Sequence, residues 1–164
     1  MEHLTEILRR LHDAKVEFSL IGGFASRHYG VSLVTEDVDI CARFTPENLR
    51  RIESAFKDFH PRHRLTANKL PLELTDELCR SLKNIYLTTD LGILDCLSQI
   101  AGVGDFDAVL RQSELKEFPF GRCYILKIDA LIQTKQAVGR PHDLVTVTQL
   151  QAIKEKKDRQ KELF

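Results

Sequence analysis

Asp37 and Asp39 stand two residues apart, with Val38 between them and Ile40 following. On an extended strand alternate side chains share a face. This spacing therefore projects both carboxylates from one side and sends Val38 and Ile40 into the core. Two carboxylates that close repel each other unless a cation sits between them. Upstream, across a gap of thirteen residues, Ile21-Gly22-Gly23 ends an apolar run in a diglycine turn that leads into a short helix. Backbone N–H groups exposed at such a turn favour a phosphate. A carboxylate pair beside a phosphate cradle reads as a metal–nucleotide site.

Two carboxylates rarely suffice for a two-metal site, and a third candidate lies in Leu91-Gly92-Ile93-Leu94-Asp95-Cys96-Leu97. An acid inside an apolar strand is costly unless it is paired, ligates a metal or reaches the sheet edge. If that strand lies beside the one carrying Asp37 and Asp39, three carboxylates converge. They then suit one or two Mg²⁺ ions, typically about 3.5–4 Å apart in two-metal phosphoryl-transfer sites. Asp95 is also the candidate general base for an acceptor hydroxyl.

The elements that must position these residues are mostly legible. Leu4, Ile7, Leu8 and Leu11 recur at helical spacing and predict an amphipathic helix over about 3–14. Residues 16–21 read as a strand, 24–29 as a short helix closed by Gly30, and 38–42 as the continuation of a second strand. Thr45-Pro46-Glu47 is a helix start, running to about Phe59. His60-Pro61-Arg62-His63-Arg64 reads as a basic turn, and Thr75 as the cap of a helix through Leu82. Residues 84–88 and 92–97 are two strands joined by a turn. Residues 105–115 suggest a helix, and 122–128 a strand. Asp129 is the expected cap of a helix ending near Gly139, and Pro141 opens the last helix, over about 141–163. Interleaved strands and helices predict a mixed α/β (α+β) sandwich, a single domain over 1–164 with no visible linker.

Composition narrows the function. Lys+Arg and Asp+Glu both number 24, so the formal net charge is zero, which argues against non-specific binding to nucleic acid. Hydrophobic residues make up 43%, enough for a core, yet no run approaches a membrane span and the start does not resemble a secretory signal. Cys41, Cys79, Cys96 and Cys123 have no Cys-x-x-Cys spacing and read as reduced, buried thiols of a cytoplasmic protein. The mixed-sign run Lys154-Glu155-Lys156-Lys157-Asp158-Arg159 fits a solvated helix face. His60 and His63 straddle Pro61 without companion ligands and read as a surface loop, His28 and His142 as structural or exposed. Phe18, Phe24, Phe44, Phe56 and Phe59 read as core.

The ordered set Gly22-Gly23, Asp37-Val38-Asp39-Ile40 and Asp95 resembles the polymerase-beta-like nucleotidyltransferase superfamily, in particular its small bacterial minimal and antibiotic-type members. Lys135-Gln136-Ala137-Val138-Gly139-Arg140-Pro141-His142-Asp143-Leu144 is similar to the Lys…Gly-Arg-x-x-Asp-Leu stretch many of them carry, and the resemblance spans about 16–150. It implies a nucleotidyltransferase fold, a small twisted mixed sheet with flanking helices. It also implies transfer of a nucleoside monophosphate from an NTP such as ATP to a hydroxyl, with release of pyrophosphate. Asp37, Asp39 and Asp95 would bind Mg²⁺, and Gly22 and Gly23 would contact the triphosphate. Lys135 and Arg140 would face phosphates or acceptor, with Asp143 orienting Arg140 or capping the last helix. Ser26 joins the nucleotide-binding candidates, although a solvent-facing role is the plainer reading for it and for Arg27. Serine often follows the first glycine in this family, and Gly23 removes that hydroxyl. The acceptor is open between a small molecule, such as an antibiotic, and a partner protein that completes the site in a homo- or hetero-oligomer. The alternative is a toxin-neutralising, antitoxin-like module that binds nucleotide with little turnover. Each part also has a plain structural reading: a diglycine is usually a turn, Asp37 and Asp39 suit a charged edge or an acidic loop after Glu36, an arginine can satisfy Asp95, and Lys135 and Arg140 suit a helix C-terminus.

Overall fold

The computed structural model describes residues 2–164. The chain begins with α1 (Glu2–Asp13), which turns Leu4, Ile7, Leu8 and Leu11 inward as their spacing predicts. β1 (Phe18–Ile21) is buried along its whole length and runs directly into α2 (Gly22–His28). β2 (Asp37–Ala42) then leads to α3 (Pro46–Phe56), where the Thr45 hydroxyl accepts from the Asn48 N–H and caps the helix. A single 3₁₀ turn, Lys57–Phe59, precedes the two-residue β3 (Arg62–His63). α4 (Asp76–Ser81), capped by Thr75, precedes the hairpin of β4 (Asn84–Thr89) and β5 (Gly92–Leu97). A small ribbon of β6 (Gln99–Ile100) and β7 (Gly104–Asp105) leads into α5 (Phe106–Arg111). β8 (Ser113–Phe118), β9 (Gly121–Leu126), α6 (Ile128–Val138) and α7 (Pro141–Glu162) complete the order.

Seven strands form one mixed sheet in the order β3-β4-β5-β2-β1-β9-β8. β2 is antiparallel to β1 and parallel to β5, while β9 is parallel to β1. α1 contacts α3, β2 and β5, and a side chain at Gly92 would point at Ile7 and Leu4. Val38, Ile40, Leu94 and Cys96 are fully buried, and their alternation places them on this helix-covered face. Asp37, Asp39 and Asp95 therefore occupy the opposite face. All four cysteines are free and buried. No helix among the described residues is long and apolar enough to cross a membrane.

Three local expectations are corrected. The helix expected over 105–115 stops at Arg111 because Ser113–Phe118 pairs with β9, and the alternation of Glu114, Lys116 and Phe118 with Leu115 and Glu117 suits a strand once a partner is present. α6 starts at Ile128 with Lys127 at its cap, so Asp129 lies in the first turn, where an acid suits the positive dipole end and pairs with Lys154 at 2.6 Å. The basic turn expected over 60–64 instead contains β3, and just beyond it the Arg64 N–H donates to the Tyr86 carbonyl while its guanidinium reaches Asp95. The last helix is continuous through Glu162, with residues 154–164 exposed.

Asn48, almost wholly buried, ties α3 to the sheet. Its amide oxygen accepts from the Glu17 N–H at 2.8 Å, and its amide nitrogen donates to the Glu17 carbonyl at 3.0 Å and the Arg43 carbonyl at 2.8 Å. Asn48→Ala takes this partner from the Glu17 N–H and the Arg43 carbonyl, while the Glu17 carbonyl keeps the Arg43 N–H. Urea denaturation is expected to show a loss of about 1–3 kcal/mol with an unchanged m-value.

Candidate metal–nucleotide site

The diglycine turn sits against β2. Gly22 has φ +70°, a conformation that L side chains rarely adopt, and a Cβ there would lie 2.4 Å from Asp39 Oδ2. Only glycine lets the chain leave β1, enter α2 and pass this close to a carboxylate. Gly23 is also confined, with Thr35 Oγ1 3.2 Å from where its Cβ would be. The space for a serine side chain here is thus already narrowed by Thr35, whose hydroxyl donates to the Asp37 carbonyl.

The parallel pairing of β2 and β5 puts Asp39 directly opposite Asp95, and Asp37 opposite Ile93. Asp37, Asp39 and Asp95 each present a carboxylate oxygen such that all three atoms lie within 4.8 Å of one another. The spacing within β2 implies that the first two share a face; the strand order, which sequence leaves open, brings in the third. Burial above all, then the like charges of Asp37 and Asp95, push Asp39 up to about 7, with Lys135 and Arg64 only partly opposing them. Three hard oxygen donors grouped this closely are the ligand type that Mg²⁺ takes.

A cleft of about 620 Å³ opens over these acids, lined also by Gly22, Gly23, Arg64, Lys135, Arg140 and Asp143. Lys135, on α6, is only 12% exposed at its side chain and lies 3.7 Å from Asp143 Oδ1. Arg140, in the bend between α6 and α7, donates through Nε to Asp143 Oδ2 at 2.7 Å while its side chain stays 61% exposed. Burial would raise Asp143, but the Arg140 hydrogen bond together with the charges of Arg140, Lys135 and His142 holds it below the usual carboxylate range. Asp143 thus anchors both cations at the cleft wall. Gly139, at φ +68°, ends α6 and makes the bend that presents Arg140.

Ser26 does not belong to this set. It is fully buried, neither at the cleft nor facing solvent, and its hydroxyl donates to the Gly22 carbonyl at 3.1 Å, which braces the turn from behind. The residue that sequence reasoning missed is Arg64. Its Nε donates to Asp95 Oδ1 at 3.0 Å and its Nη2 to Asp95 Oδ2, a two-pronged hold. The signal available was indirect: an acid in an apolar strand asks for a counter-charge, but nothing in sequence singles out Arg64 among 24 basic residues. His142 is exposed beside Asp143, and His28 is exposed and stacked on Phe118.

The raised Asp39 sets a pH dependence of stability for the metal-free protein. Well below pH 4, Asp39 is protonated both folded and unfolded. Between there and about pH 7 the folded state keeps a proton that the unfolded chain has lost, so stability falls as pH rises, and above about 7 the loss is complete. The full effect is at most about 4 kcal/mol. Urea unfolding in chelator is expected to show lower stability at pH 8 than at pH 5, and Asp39→Asn is expected to flatten that difference.

No protein-family model and no curated protein matches the sequence. Among the solved structures that match in three dimensions are two of ANT(2'')-Ia. The crystal structure of ANT(2'')-Ia in complex with adenylyl-2''-tobramycin aligns at TM-score 0.52 and 16% identity, over 88% of this chain and 83% of that one. The solution structure of the antibiotic-resistance factor ANT(2'')-Ia aligns at TM-score 0.50 and 16% identity, over 98% and 94%. The mixed sheet with flanking helices is the fold of these nucleotidyltransferases.

Proposed function

We propose that this chain is a Mg²⁺-dependent nucleotidyltransferase that moves a nucleoside monophosphate from an NTP to a hydroxyl acceptor. The observation that carries this reading is the convergence of Asp37, Asp39 and Asp95 on one sheet face, packed against the Gly22 turn. Three carboxylates crowded this closely on a half-buried face need a hard cation, and a glycine turn at a helix start suits phosphate. The adenylyl-tobramycin bound to ANT(2'')-Ia makes ATP the donor to test first and a small-molecule hydroxyl the first acceptor class. A partner protein that completes the site is the second acceptor class.

In this reading Asp37, Asp39 and Asp95 hold the metal. Mg²⁺, when bound, neutralises the triphosphate and lowers the pKa of the acceptor hydroxyl. The Gly22 and Gly23 backbone approaches the phosphates closely because no side chain intervenes. Lys135 and Arg140, anchored by Asp143, add positive charge at the wall. The acceptor oxygen forms a bond to the α-phosphorus, the bond to pyrophosphate breaks, and the hydroxyl proton passes to Asp95. Most of the rate comes from positioning and charge neutralisation.

Calorimetric titration of each NTP with Mg²⁺, beside the Asp37→Ala/Asp39→Ala double variant, checks this. One NTP is expected to bind only with Mg²⁺, and the double variant to weaken that binding on the order of a hundredfold. Failure of every NTP to bind, or binding indifferent to Mg²⁺ and to the two aspartates, overturns the reading. NTP binding without transfer to any hydroxyl acceptor makes the chain a nucleotide-binding module.

A further inference from the structure

Arg64 brings a fixed cation onto one member of the carboxylate cluster. Its guanidinium holds both oxygens of Asp95, and its charge also acts on Asp37 and Asp39. The side chain is 27% exposed, and that of Asp95 is 10% exposed, so solvent screens the pair only in part. Both oxygens of Asp95 are therefore engaged by one guanidinium, with Asp39 directly opposite Asp95 in register.

The route by which Arg64 reaches Asp95 matters as much as the contact. Arg64 follows β3, the two-residue edge strand, and its N–H donates to the carbonyl of Tyr86, the residue paired with Asp95 across β4 and β5. The guanidinium carbon sits 5.4 Å from the centre of the Tyr86 ring. Beyond Arg64 the chain folds back on itself, with the His63 N–H donating to the Leu70 carbonyl and the Leu72 N–H to the Pro61 carbonyl. The arginine is thus presented by an edge segment and lies at the cleft lining. Its hold on Asp95 is a side-chain contact, so no pairing between central strands depends on it.

We propose that Arg64 is a resident counter-ion that competes with the divalent cation for Asp95, so that the metal completes its site only when the guanidinium releases that carboxylate. The inference rests on the metal–nucleotide reading above and deepens it. A metal drawn to Asp37 and Asp39 meets a third ligand whose two oxygens are already engaged, and it meets a fixed positive charge beside them. Arg64 is accordingly a positioning residue, acting through Asp95, and it sets how readily the site fills when no nucleotide is present.

Mn²⁺ binding followed by electron paramagnetic resonance tests this without any turnover, with and without ATP. In the absence of ATP, Arg64→Ala is expected to bind Mn²⁺ about tenfold more tightly than the native chain. Arg64→Lys keeps a charge but loses the two-pronged hold; it is expected to fall between them, and it serves as the readout if Arg64→Ala does not fold. In an Asp95→Asn background the gain from removing Arg64 is expected to shrink, since the contested ligand is gone. Unchanged or weaker Mn²⁺ binding in both Arg64 variants overturns the proposal. An equal gain in the Asp95→Asn background also overturns it, by reducing Arg64 to a distant charge. If the native chain binds Mn²⁺ with ATP while the Arg64 variants change nothing, this proposal alone fails. If no variant binds Mn²⁺ with or without ATP, the metal–nucleotide reading fails with it.

Discussion

Like charges brought together on the cleft face of a sheet govern this molecule. Asp39 and Asp95 face one another across a parallel strand pair, with Asp37 one step along the same face. Parallel register leaves no slack: slipping β5 by one residue would move Asp95 to the face packed on α1 and bring a leucine or cysteine into its place. The buried aliphatic set of Val38, Ile40 and Leu94 locks that register, so the apolar side of the sheet enforces the crowding on the other side. Hydrophobic burial supplies the force, and the carboxylates bear the strain.

Around these acids the chain distributes positive charge from separate elements. Arg64 comes from the edge beside β3, Lys135 from α6 and Arg140 from the bend before α7. They are not equivalent. Arg64 is committed to Asp95, while Lys135 and Arg140 are held by Asp143, itself almost wholly buried. Asp143 thereby keeps two cations at the wall, and Asp39, raised first by burial and then by its acidic neighbours, is only partly offset by Lys135 and Arg64. The electrostatic imbalance is local, since Lys+Arg and Asp+Glu are equal over the chain as a whole.

Glycine geometry sets the other boundary of the site. The left-handed conformation at Gly22 and its contact with Asp39 make turn and strand a single unit, and Ser26 stabilises that unit from inside by bonding to the Gly22 carbonyl. A hydroxyl on a helix after a diglycine is a candidate phosphate ligand in sequence, with a solvent-facing role the plainer reading. Helical rotation decided otherwise, turning it four residues back into its own first turn.

Local patterns in the sequence determined a good deal. The period of α1, the caps at Thr45 and Thr75, the strand on either side of Asp90, the stop at Gly139 and the shared face of Asp37 and Asp39 all depend on residues within a few positions of each other. β8 escaped because its strand character depends on pairing with β9, not on its own short polar alternation. Tertiary structure alone decided that β5 lies beside β2, that Arg64 reaches Asp95 across thirty residues of chain, and that Ser26 faces inward. The reason is physical: periodicity and capping are short-range preferences of the backbone, whereas the neighbour of a charge is chosen by how strands are ordered and by which side of a helix the core takes.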